Sequence, residues 1–162
     1  MIHKGNYFGT SFWSEYKPEF LKSLNKVSNK HINEARKKNK GYIKEFDDFG
    51  TTHHSTTLLK DNDFLDFRDY IGQKSWEYLD QMGYDMNLYT TIFSEMWVQE
   101  FSKKGGGHHS AHIHFNQHVS GFYFLKCSEK TSHPIFHDPK TGARTTKLTM
   151  KPDLKDVWSG NE

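Results

Sequence analysis

One cysteine, Cys127, stands among 162 residues, so no disulfide can form within the chain. That fits a reducing cytoplasm and excludes folds built on Cys-rich zinc sites. Long apolar runs are missing too. No stretch approaches the ~20 residues of a membrane-spanning helix, and the N-terminus MIHKGNYFGTSFW lacks the apolar core of a signal peptide. Charge of one sign is also scarce: 22 Lys and Arg against 20 Asp and Glu leave a net charge of +2, too little to imply a nucleic-acid partner. The expectation is a cytoplasmic protein with neither membrane nor nucleic acid among its partners.

Apolar residues are few as well, at 34% with a mean hydropathy of -0.88. The aromatic share of 15% offsets this, because each Phe, Tyr or Trp buries a large area. The length suits one domain with a single core. One region is locally basic: between Lys22 and Lys44 eight Lys and Arg face one acid, Glu34. It reads as a solvated face, with a patch for phosphates or acids as the alternative.

Two helices are expected in the first half, over residues 1–88. The first covers 16–32, with Pro18 in its first turn and a stripe of Phe20, Leu21, Leu24, Val27 and Ile32. Residues 35–57 read mostly as loop, with His53 and His54 as exposed polar surface. The second helix covers 60–85, capped by Asp61 or Asp63, with Phe64, Phe67, Ile71 and Tyr78 at helical spacing and Gly83 as its stop. After Leu88 the composition turns β-prone. Residues 89–102, 110–115, 121–127, 133–138 and 144–151 read as short strands separated by turns such as DPKTG. Helices followed by short strands suggest an α+β chain, a single domain over 1–162, whose sheet curls into a jelly roll or barrel.

Five of the eleven histidines fall between His108 and His118. On a strand, residues i and i+2 share a face, so His112 and His114 point the same way, ~7 Å apart along the backbone. A metal at ~2.1 Å from each imidazole can sit between them. Ile113 then faces the opposite, buried side, and Asn116 and His118 join the histidine face if the strand stays regular. His108 and His109 read as exposed loop residues, and Trp97 as core. Imidazole and oxygen donors without thiolate suit Fe(II), Mn, Ni, Cu or Zn.

The run from Glu95 to Pro139 resembles the phage and marine-bacterial branch of the 2-oxoglutarate/Fe(II)-dependent oxygenase superfamily. The resemblance lies in Trp97, Gly105 to Gly107, His112 and His114, Ser120-Gly121, Phe122-Tyr123-Phe124 and Phe136-His137-Asp138-Pro139. It implies a double-stranded β-helix (a jelly roll) with the N-terminal helices packed on the sheet. It also implies Fe(II) with 2-oxoglutarate as co-substrate, and hydroxylation of a C–H bond on a protein side chain or small metabolite in a bacterial or phage-infected cell. Tyr123 lies where related enzymes place a hydroxyl toward the co-substrate, with a tyrosine packed in the sheet as the competing reading.

Two features depart from the family pattern. The family's common H-x-D or H-x-E is here His112-Ile113-His114, so either His114 ligates or an acid such as Asp138 does. The distal histidine and its basic companion have no counterpart, since no histidine follows His137 and Arg144 does not match the anchor's position. The expectation is thus a fragment, the product of a truncated gene, or a degenerate member of the family, and a roll lacking its closing strands would leave open edges that invite pairing with another chain, a homodimer for example. Two other readings compete. Cupins share G-x5-H-x-H, met here by Gly106, His112 and His114, with His118 in place of their glutamate. The third reading is a non-catalytic binding module.

Overall fold

The computed structural model describes residues 9–129, 131 and 133–137. They fall into two compact units that divide after Leu125. In the first, a 3-10 turn at Pro18–Phe20 leads into helix α1, Leu21–Phe46. Strand β1, Thr52–His54, follows. A 3-10 turn at Asn62–Phe64 opens helix α2, Leu65–Gln81. A further turn at Met86–Leu88 precedes strand β2, Gln99–Phe101. In the second unit, Ser128 and Thr131 bracket a turn in which the Thr131 amide donates to the Ser128 carbonyl at 3.0 Å.

α1 starts where Pro18 puts it but runs well beyond Ile32, so the loop expected over 35–57 is helix as far as Phe46. Its buried residues, Leu24, Ser28, His31, Ile32 and Ala35, keep one face throughout. Two of them, Ser28 and His31, are polar. Leu21, expected on that stripe, is exposed. Beyond Ile32, Ala35, Arg36, Lys37, Lys38 and Lys40 are good helix formers and outweigh the ~1 kcal/mol cost of Gly41.

His31 is buried because it has a partner. Its Nε2–H donates to Asp61 Oδ2 at 2.7 Å. Asp61 also caps the turn before α2 by accepting the Asp63 amide at 3.0 Å. That amide first, and His31 second, hold the Asp61 carboxyl below its ordinary range. A depressed carboxylate stabilises the fold fully above its unfolded pKa of ~3.9, and the contribution is lost as pH falls through the folded value. Asp61→Ala is therefore expected to lower the thermal midpoint at about pH 7 and to converge on the parent protein at about pH 2. A deficit of equal size at both pH values would show that the charge is not responsible.

The core gathers Leu24 and Ile32 of α1, Leu58, Phe64 and Val98, with Phe20, Val27, Phe67, Met96, Tyr123 and Leu125 packed around them. β1 and β2 pair antiparallel, with Thr52 opposite Phe101, His53 opposite Glu100 and His54 opposite Gln99. Loop bonds extend the pairing: Ser55 N–H to the Val98 carbonyl at 3.0 Å and Leu58 N–H to the Met96 carbonyl at 2.9 Å. Successive strand residues face opposite sides. His53 is thus buried under α1, where Asn39 Nδ2 donates to its Nδ1 at 3.1 Å, and only His54 is exposed. The expectation that both are surface residues fails for His53.

The β-prone stretch 89–102 forms a strand only at its end, in β2. The described residues of 110–115, 121–127 and 133–137 form no strand. The DPKTG turn, the strand expected over 144–151, and Asp138 lie outside the described residues. The described elements are thus two helices, their turns and one two-stranded sheet. None of the described helices is long and apolar enough to cross a membrane.

Candidate functional site

The histidine segment leaves β2 through a glycine turn. Gly105 and Gly106 have φ of 96° and 76°, the region where a side chain is strained. Space is short as well: a Cβ on Gly106 would lie 2.7 Å from the Phe49 ring and 3.1 Å from the Gly50 nitrogen. The Gly105 carbonyl accepts the Gly50 amide at 2.8 Å, which pins the turn to the α1–β1 connection. Gly106→Ala is expected to cost about 1–3 kcal/mol, read as a lower urea midpoint with an unchanged slope. A variant as stable as the parent would show that the turn relaxes freely.

Beyond the turn, three imidazoles stand in a row. The His109 and His112 ring centroids are 5.6 Å apart, and those of His112 and His114 are 5.0 Å apart. Hydrogen bonds set two tautomers, because a carbonyl oxygen only accepts. His112 Nδ1–H donates to the Ser110 carbonyl at 2.7 Å, which in the neutral ring leaves Nε2 with its lone pair. His109 Nε2–H donates to Gln99 Oε1 at 2.7 Å, which leaves Nδ1. Partial burial first, and then the neighbouring His112, His54 and His108, push the His109 pKa down and favour its neutral form. Gln99 belongs to β2, so the sheet itself positions His109.

The sequence-based expectations fare unevenly. His112 and His114 do come together, but on an irregular, exposed segment and not on a regular strand, and Ile113 is 73% exposed rather than buried. His118 is exposed, and no described contact joins its ring to the pair. Tyr123 is packed: its ring meets Phe67 edge-on at 5.3 Å and its hydroxyl donates to the Lys17 carbonyl at 2.6 Å. Burial raises its pKa, so it stays a neutral phenol tied to the main chain. Trp97, expected in the core, is half-buried and stacks on His54 at 5.2 Å. His109 is an exposed loop residue, as the sequence suggested, and it joins the row through Gln99, a tertiary contact with no local sequence signal.

Two imidazoles sharing an ion at ~2.1 Å from each donor nitrogen hold their centroids about 4.5–5 Å apart when they meet at near right or tetrahedral angles. The 5.0 Å between His112 and His114 meets that requirement. Ligating histidines commonly give their other N–H to a carbonyl, as His112 does to Ser110. Among the described residues no group of three His, Cys, Asp or Glu side chains is placed to hold a metal. The pair therefore has the ring spacing of two ligating histidines, without a third donor beside it among the described residues. No family model matches the chain, and no curated protein or solved structure matches it significantly.

Proposed function

We propose that the chain is a 2-oxoglutarate- and Fe(II)-dependent dioxygenase that hydroxylates a C–H bond on a protein side chain or small metabolite, with His112 and His114 as metal ligands. The observation that carries this reading is the His112 tautomer. Its Nδ1–H is committed to the Ser110 carbonyl, which in the neutral ring leaves Nε2 as a metal donor, with the His114 ring 5.0 Å away, inside the Glu95-to-Pro139 run that resembles the oxygenases. On the resemblance alone, an acid such as Asp138 is the alternative to His114 as a ligand.

Iron and 2-oxoglutarate would supply the oxidising chemistry, and the protein's part is to bind, orient and select. The glycine turn and Gln99 hold the histidine row against β2. The Tyr123 hydroxyl, bonded to Lys17, serves packing in this arrangement, and the reading draws no co-substrate contact from it. The test is succinate formation from 2-oxoglutarate with Fe(II) and ascorbate. Turnover or saturable 2-oxoglutarate binding is expected, and the absence of both overturns the reading. A protein that retains zinc or nickel through His118 and ignores 2-oxoglutarate would instead be a cupin-like metal protein.

A further inference from the structure

On the side of the sheet away from His53, a cleft of about 530 Å³ is lined by His54, Thr57, Leu59, Ser94, Glu95 and Trp97. It is an open surface groove, with His54, Thr57, Ser94 and Glu95 exposed along it. Its lining holds one formally charged side chain, Glu95, which is exposed and takes part in no ion pair among the described residues. The other polar groups are rich in acceptors. His54 Nδ1–H donates to the Ser55 carbonyl at 2.7 Å, which in the neutral ring leaves its Nε2 as an acceptor. Ser94 Oγ accepts from Gln117 at 3.0 Å and keeps a second lone pair. Trp97 sends its indole N–H out of the way, to Gln99 Oε1 at 3.4 Å, and stacks its ring with His54 at an interplanar angle of 26°.

A negative charge, several acceptors and a stacked aromatic wall match one ligand chemistry in particular. A guanidinium is planar, carries five N–H donors and no acceptor, stays charged, and stacks on aromatic faces. We propose that this cleft binds a guanidinium group, supplied by free arginine or by an arginine side chain of a peptide. The inference does not depend on the metal. It also links the cleft to the histidine row, because Gln99 Oε1 receives both the Trp97 indole N–H and His109.

The test uses the full chain with a chelator present, so that its failure is separate from failure of the oxygenase reading. Arginine amide and citrulline amide, nearly equal in shape but unequal in charge, are titrated by calorimetry and by following the Trp97 indole N–H resonance, assigned with Trp97→Phe. Saturable binding of arginine amide is expected, weaker by about tenfold or more in Glu95→Gln and for citrulline amide. Glu95 is exposed, so that variant keeps the fold. Acetyl-Gly-Arg-Gly-amide, compared with free arginine, identifies the source: tighter peptide binding assigns an arginine side chain, and tighter binding of the free amino acid assigns the small molecule. Equal binding of citrulline amide, unchanged affinity in Glu95→Gln, or no binding at all overturns the proposal.

Discussion

His112→Ala is expected to abolish metal-dependent turnover and to weaken Fe(II) binding by more than a hundredfold. Loss of a group that merely orients a ligand already costs about 10–100-fold in affinity, and removing a ligand costs more. His112 is exposed, so the change should move stability by no more than about 0.5 kcal/mol, the usual span for a surface substitution. The helical circular dichroism and the urea midpoint should match those of the parent while metal titration fails. His114→Ala should behave alike, and His118→Ala should change nothing. Tight metal binding by His112→Ala would remove the pair from the site. If instead His118→Ala loses the metal, the cupin-like arrangement gains.

Leu58→Ala is expected to cost about 2–5 kcal/mol, the range for emptying a buried leucine site. Leu58 is 1% exposed, in a core of five buried residues drawn from α1, the approach to α2 and the segment before β2. Its amide also bonds the Met96 carbonyl, so the side chain sits at the seam that extends the sheet. Small domains are stable by only about 5–15 kcal/mol, so this single change removes a large share. The urea midpoint should fall with little change in slope. A loss below about 1 kcal/mol would mean that the site collapses onto the missing methyl groups.

Local chemistry was legible in the sequence wherever it decided the structure. Pro18 marks the start of α1, Asp61 caps the entry to α2, and Gly83, with φ of 94°, lies where α2 ends. The far half of α1 was hidden because Ala35 is its last buried residue and the rest is polar, rich in lysine and interrupted by Gly41, while the buried His31 is satisfied by a hydrogen bond to Asp61, distant in sequence. The β-prone composition of 89–102 overstated the strand, since β-propensity measures packing on a sheet and only Gln99–Phe101 has a partner strand.

The same division runs through the candidate site. The rings of His112 and His114 lie 5.0 Å apart, but the strand on which the i, i+2 expectation rested does not form, so their approach comes from an irregular segment and not from strand alternation. His53 and His54 show the alternation of a strand, one side in and one side out, which a period of two could have revealed. The role of Gln99 was not readable, because it arises from β2 meeting the glycine turn and from His109 folding back onto it.

The pairing of β1 with β2 spans a chain segment that contains all of α2. Closing such a loop costs entropy before any contact rewards it, so non-local strand pairs form slowly and after local helices. The stack of His54 on Trp97 and the bond from Gln99 to His109 both depend on that pairing. The cleft and the histidine row therefore carry the entropic cost of closing that long loop, a cost that neither helix bears alone.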